Sequence, residues 1–288
     1  MLSILMTFSL GAIVGSFINV VAYRLPIMLQ TNWIYESSEF LESQGLKVQG
    51  SNDTTKYESF NLFWPPSHCP FCKYKIRPWE NIPLLSYVYL KRKCSNCGKE
   101  ISKRYPITEL ICGLLTMFLA YYFQLTSASF VLIVLMWSLL TIAIIDLNHH
   151  LIPDEITQPL IWVGLIVNSG DMIAGVSLSE SVLGAILGYI SLWTVNWFFK
   201  IIRKQEGMGH GDFKLLAAIG AWLGWQSLFA TIIISSLTGA VSGIFMITFF
   251  RKNKSQPIPF GPHLSVAAII FIVWGTQINN FYLTNIVR

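Results

Sequence analysis

The chain is poor in charge. Lys, Arg, Asp and Glu together make up only 12% of its 288 residues, against about 25% in a typical soluble domain. With 53% hydrophobic residues beside that shortage, an ordinary soluble globule and a disordered chain are both excluded. Familiar catalytic strings are missing too. There is no GxSxG elbow and no HExxH helix, so neither a serine nucleophile nor a catalytic zinc helix is indicated. No basic stripe with interleaved aromatics marks a nucleic-acid surface, and nucleic acid is not expected as a partner. No basic residue precedes the first apolar run and no small-x-small cleavage site follows it. That run therefore reads as an uncleaved first span.

What the chain has is apolar blocks. A helix needs roughly 20 residues to cross the hydrocarbon core, and eight blocks qualify or nearly so: 2–23, 107–124, 128–146, 155–169, 179–199, 212–225, 227–249 and 263–282. Helices alone satisfy a spanning backbone here. The fold class is therefore an all-α polytopic membrane protein of about eight transmembrane helices, with lipid as its surroundings. The fourth and sixth blocks are short enough to be re-entrant instead, and charge arbitrates. With eight spans and the N-terminus outside, 19 of the 20 Lys and Arg residues lie on the cytoplasmic side, Arg288 being the other, as the positive-inside tendency favours. The net charge of +5 is then topology. Glycine pairs at four-residue spacing (Gly11/Gly15, Gly184/Gly188, Gly220/Gly224, Gly239/Gly243) suit close helix packing. The organisation expected is a first helix over 1–24, a cytoplasmic insert over 25–106 and a seven-helix membrane domain over 107–288. A short amphipathic helix is expected around 33–46, and no internal repeat.

Five cysteines are present, and four stand as two CxxC pairs, Cys69/Cys72 and Cys94/Cys97, inside the polar insert. Two such turns at this separation suit a tetrahedral zinc ion, with all four coordination positions filled and the metal structural. The other readings are two disulfides, which a cytoplasmic location disfavours, or a redox CxxC, which usually occurs singly. His68 is not needed as a ligand. Cys112, inside the second span, reads as an ordinary buried thiol.

Two aspartates stand at apolar boundaries, Asp146 in IIDLNHHLIPD and Asp212 in GHGDFKLL. Carboxylates there are expensive and hence functional candidates. By the charge-derived topology the third span ends, and the sixth begins, at the same face. Two carboxylates brought close share one proton; the charged one can deprotonate a water while the other protonates a leaving amine. Gly209 and Gly211 would let the backbone approach a substrate strand. The alternative is that both acids merely mark helix ends. Asp212 suits a helix N-terminus, whereas Asp146 at a C-terminus opposes the dipole. Asp154 reads as a helix cap, and His149, His150 and His210 as proton carriers or simply solvated side chains. A transporter using the two acids as a proton relay is a further reading, but no inverted repeat supports it.

Together these strings resemble bacterial type IV prepilin peptidases, which are GxGD-type intramembrane aspartyl proteases and leader peptidase/N-methyltransferases. The resemblance rests on GSFINVVAYRLP (15–26), the cysteine module (67–110), IDLNHHLIPDEIT (145–157), EGMGHGDFKLLAAIGAWLG (206–224) and PIPFGPHL (257–264). It implies Asp146 and Asp212 as the catalytic pair and type IV prepilins and pseudopilins as substrates, cut after a glycine behind a short basic leader. It also implies S-adenosylmethionine as methyl donor and the bacterial inner membrane as location. A general intramembrane aspartyl protease without methylase activity is the alternative. Asn148 stands where some relatives carry a second acid, which weakens any catalytic role for that position. Glu206, Asp154 and Glu155 are candidates to attract a basic leader. No glycine-rich loop of a soluble methyltransferase is present; the polar insert, which includes Glu42, is the candidate region for the donor.

Overall fold

The protein was analysed as a computed structural model that describes residues 2–46, 60–205, 207–250 and 258–285. Glu206 and Arg288, named above, lie outside them, as do five of the Lys and Arg residues counted for topology: Lys47, Lys56, Arg251, Lys252 and Lys254. Among the described residues the regular structure is helical, apart from two isolated bridges. The helices are α1 (Leu2–Ser43), α2 (Leu85–Tyr89), α3 (Arg104–Tyr122), α4 (Ser127–His149), α5 (Asp154–Ser169), α6 (Leu178–Arg203), α7 (His210–Leu223), α8 (Gln226–Phe250) and α9 (Gly261–Asn285), with one 3-10 turn at Pro78–Asn81. All but α2 correspond to the eight apolar blocks. Six of them are long and apolar enough to cross a membrane, α5 and α7 being the shorter two.

The chain divides into two compact units, Met1–Phe118 and Leu119–Arg288. In the first unit α1 does not stop near Arg24. It runs 42 residues through Pro26, roughly 63 Å at 1.5 Å per residue, or about twice the hydrocarbon thickness. The separate amphipathic helix expected around 33–46 is instead the end of this one. The α1–α3 seam is set by small residues: a Cβ on Gly15 would lie 2.8 Å from Glu109 Cα, and one on Gly11 would lie 2.6 Å from Thr116 Cβ. Cys112 is fully buried in the same seam, the ordinary thiol expected. Arg24, counted above as a topology charge, is buried. Its Nη1 donates to the Asn61 carbonyl at 2.9 Å and its Nη2 to the Pro65 carbonyl at 2.5 Å.

In the second unit the short α7 is the axis. Phe213, Leu215, Leu216, Ala218, Ile219, Ala221 and Trp222 are all fully buried, because α5, α6, α8 and α9 pack around the helix. A 14-residue helix spans only about 21 Å, and one enclosed this way meets protein instead of lipid. Its tightest contact is with α6: a Cβ on Gly184 would lie within 2.7 Å of the Gly220 carbonyl carbon, and Gly188 meets Leu216 in the same way. On the other side Trp222 fills the notch at Gly164 and donates its indole N–H to the Leu160 carbonyl at 2.8 Å. Gly224, paired above with Gly220 as a packing residue, does lie in that seam, 2.9 Å from where a Cβ on Gly184 would stand, and it also ends α7 at φ +76°, a conformation glycine adopts without strain. The outward faces of α6 and α8 carry Leu183, Ile186, Ile190, Trp193, Leu237, Val241 and Ile244, an apolar surface suited to lipid.

Candidate active site

Asp146 lies in the last turn of α4. That helix closes on His150, whose φ is +51° and whose N–H donates to the Asp146 carbonyl at 2.9 Å. The chain then turns through Ile152 into α5. Asp212 lies in the first turn of α7, behind the N-cap Gly209, which offers no side chain to cap the helix. Both carboxylates are buried, at 5% and 7% exposure, and they are near enough for the charge of one to act on the other. Burial at these values separates them from helix-end acids, which normally face solvent.

A third segment joins them. The N–H of Gly261, where α9 begins, donates to Asp146 Oδ2 at 2.9 Å. A Cβ on Gly261 would stand 2.7 Å from that oxygen and 3.0 Å from Ile152 Cδ1, while one on Gly211 would stand 2.7 Å from Ile152 Cβ. Ile152 is thus wedged between two glycines, and the starts of α7 and α9 converge on the end of α4. The Asp212 N–H donates to the Gly209 carbonyl at 3.2 Å, while the Oδ1 of its carboxylate is buried without a hydrogen-bond partner. Gly261 was legible only as part of the PIPFGPHL string; no spacing argument ties it to Asp146.

The neighbouring polar residues divide. Asp154 is no cap: the N-cap is Pro153, and the Asp154 carboxylate pairs with Lys214 at 2.6 Å, joining α5 to α7. Its charge is therefore already partnered by a cation within the protein. His149, His150 and His210 are exposed, and the His210 ring packs edge-on to Phe213. Asn148 donates back to the Ile144 carbonyl at 2.8 Å.

The cysteines form a second centre, in the first unit. Cys69, Cys72, Cys94 and Cys97 hold their sulfurs within 4.8 Å of one another, with Cys69–Cys97 at 3.8 Å and Cys72–Cys94 at 4.0 Å. A tetrahedral zinc with bonds of about 2.3 Å places its sulfurs about 3.8 Å apart, so the donor set fits. The two halves are copies. Cys69 N–H donates to Tyr74 O and Lys73 N–H to Cys69 O; 25 residues on, Cys94 N–H donates to Lys99 O and Gly98 N–H to Cys94 O. Lys73 and Gly98 both take positive φ, at +59° and +69°. This corrects the expectation of no repeat: side-chain identity is low, but the hydrogen-bond pattern recurs. Cys72 is held down to about 6, first by the Tyr74 backbone and then by the Asn96 side chain. Cys97 is pushed up to about 11: the Lys99 N–H favours its thiolate, but desolvation and the sulfurs of Cys72, Cys94 and Cys69 outweigh it. Cys72 and Cys97 are thus pushed in opposite directions by their shared surroundings, and a bound dication favours the thiolate form of a ligand. His68 lies outside the set and faces the Pro66 carbonyl.

Residues 9–123 match the family described as Bacterial Peptidase A24 N-terminal domain, and residues 133–244 match the Type IV leader peptidase family. The chain belongs to the type IV leader peptidase family. It is 47% identical over 274 residues to a prepilin leader peptidase/N-methyltransferase of Stutzerimonas stutzeri, covering 95% of this chain and 91% of the relative. The protein of the same name from Pseudomonas aeruginosa is 46% identical over 280 residues, covering 97% and 93%. That from Legionella pneumophila is 38% identical over 270, covering 94% and 91%. No solved structure matches the chain. As a member of this family it supplies a direct test of the α9 contact. Gly261→Ala is tolerated by the backbone but displaces the Asp146 carboxylate; where that carboxylate is a reacting group, an error of about 1 Å costs about 10²-fold. Peptidase turnover is expected to fall roughly 10- to 100-fold at unchanged membrane abundance, read by initial rates on purified enzyme.

Proposed function

We propose that this protein cleaves the short basic leader from type IV prepilins and pseudopilins after a glycine, and then N-methylates the new N-terminal residue. Asp146 and Asp212 are the catalytic pair. The observation that carries the reading is the meeting of two buried acids from opposite helix ends, one of them with a buried oxygen, Asp212 Oδ1, left open for a water or a scissile carbonyl. In this scheme Asp146, fixed by the Gly261 N–H, carries the charge and takes a proton from water. Asp212 carries the shared proton, polarises the carbonyl and passes the proton to the leaving amine. Gly209 lines the approach to Asp212, while the face of Gly211 is taken up by Ile152.

The basic clusters, by the positive-inside tendency, support a cytoplasmic cysteine module and, independently, a cytoplasmic face for the helix ends that hold the two acids; the family resemblance supports the bacterial inner membrane. A precursor whose apolar helix enters the bilayer leaves its basic leader in the cytoplasm, level with the pair. Zinc is the structural metal of the cysteine module, held by Cys69, Cys72, Cys94 and Cys97. S-adenosylmethionine supplies the methyl group. Among the described residues no strand–glycine loop–helix unit offers it a seat, so its site is built in some other way.

Mass spectrometry of the N-terminus of a pilin co-expressed with this protein tests the reading. The expected product lacks its leader and carries one added methyl group. An uncut precursor beside abundant, membrane-inserted protein would refute the assignment; a cut but unmethylated pilin would leave a peptidase alone.

A further inference from the structure

The GHGD turn carries an aspartate that must be held in place, yet α7 begins without a side-chain cap of its own. What fixes this helix start comes from α6. Asn196 is 8% exposed, within the C-terminal third of α6. Its Oδ1 accepts two consecutive backbone N–H groups, from Gly207 at 3.0 Å and from Met208 at 3.2 Å. One turn further along α6, the Phe199 ring backs the same loop: a Cβ on Gly207 would lie 2.6 Å from Phe199 Cδ1. Met208 packs onto the core cluster around α7. Gly209 follows, and its carbonyl accepts the Asp212 N–H at 3.2 Å. The path from Asn196 to the acid is thus two hydrogen bonds, one N-cap and one helical turn.

We infer that Asn196 is a positioning residue for the peptidase reaction, holding the loop before α7 so that Asp212 meets Asp146 in register. The inference rests on the aspartyl-pair reading above. Asn196 touches neither acid, so it does no chemistry. Its part is geometric: two adjacent peptide N–H groups converge on one oxygen, which fixes both the position and the rotation of the loop, where a single bond would leave a pivot. A purely apolar residue of equal size would fill the space and keep the Phe199 contact, but would release both N–H groups. An aspartate would keep an oxygen acceptor at the same reach, and a carboxylate bonds such donors at least as well. The helix packing of α6 on α7 rests on Gly184 and Gly188, which both substitutions leave untouched.

Four purified enzymes are compared: wild type, Asn196→Leu, Asn196→Asp and Asp212→Asn. Leader cleavage is measured as kcat and KM, and methylation is measured separately on a leaderless pilin. Asn196→Leu is expected to lower kcat for cleavage roughly 10- to 100-fold, as misplacement of a reacting group does, with KM within about twofold and methylation at the wild-type level. Asn196→Asp is expected to restore kcat to within about threefold of wild type, because the acceptor and not the amide is what the loop needs. Wild-type kcat in Asn196→Leu, beside an inactive Asp212→Asn, would sink the inference and leave the aspartyl pair intact. Equal loss of kcat in Asn196→Leu and Asn196→Asp would also sink it, and so would loss of cleavage and methylation together in Asn196→Leu, which marks a general folding role. Normal cleavage by Asp212→Asn would overturn the underlying mechanism itself.

Discussion

Replacing either Asp146 or Asp212 with asparagine is expected to reduce leader cleavage by at least about 10³-fold, since acid and base roles each contribute roughly 10²- to 10⁴-fold. The two variants should be nearly equal in effect. A shared proton is a property of the pair, and removal of either partner ends both roles. The substitution changes no volume, so the packing of α4 and α7 is preserved. Its cost to stability is small: the new amide at position 212 brings donors to a site where Oδ1 has no partner, a penalty of about 1–3 kcal/mol. That is small for a helix whose apolar side chains are fully enclosed. Each variant should therefore reach the membrane at normal abundance. Methylation of a leaderless pilin should continue, because transfer of a methyl group to an amine does not require a carboxylate pair. Initial rates on a purified precursor, with methyl incorporation measured in the same preparation, check all three expectations. If either single variant kept more than about a tenth of its cleavage rate, the paired-acid mechanism would have to be abandoned.

How much of this was open to a reader of the sequence depends on how local the signal is. Eight helices were legible because hydrophobicity over about 20 residues is a sum that no single contact controls. Cys69, Cys72, Cys94 and Cys97 were legible because metal geometry constrains spacing directly. Asp146 and Asp212 stood out because an acid at an apolar boundary is costly wherever it is found. The length of α1 was not legible: Arg24 and Pro26 look like a boundary, but the Arg24 guanidinium is satisfied by the Asn61 and Pro65 carbonyls, contacts with residues more than 35 positions away in the chain. The pairing of Asp154 with Lys214 is hidden for the same reason, since it joins positions 60 residues apart. Gly261 and Asn196 act through one backbone N–H and one side-chain oxygen respectively. Neither leaves a periodicity or a composition shift. The repeat of the cysteine turn was hidden differently, because its likeness lies in hydrogen bonds and positive φ and not in side-chain identity.

Metal removal should have an effect of comparable size, on a different property. Across residues 60–106, Cys69 is the single buried residue, while Phe63, Phe71, Trp79, Leu85, Val88 and Tyr89 are all well exposed. A segment with so little interior has almost no hydrophobic stabilisation to set against the entropy of ordering its backbone. Its two turns nevertheless adopt one precise pattern, with Lys73 held at positive φ, a conformation a lysine does not choose unaided. Metal–thiolate bonding would close this gap, structural zinc in small peptides contributing an apparent free energy of about 10–16 kcal/mol. Cys69→Ser or Cys94→Ser is therefore expected to lower bound zinc from about one ion per chain to under about a tenth, and to expose the segment to limited proteolysis. The same cleavage pattern should appear in wild-type enzyme stripped by a strong chelator, and zinc should reverse it. Peptidase turnover should be insensitive to brief chelation, because the aspartyl pair needs no metal. Metal content by mass spectrometry, proteolysis and initial rates can be read on one preparation. A metal-free preparation with a protease-resistant cysteine module would show that packing alone holds it, contrary to a segment in which Cys69 is the single buried residue.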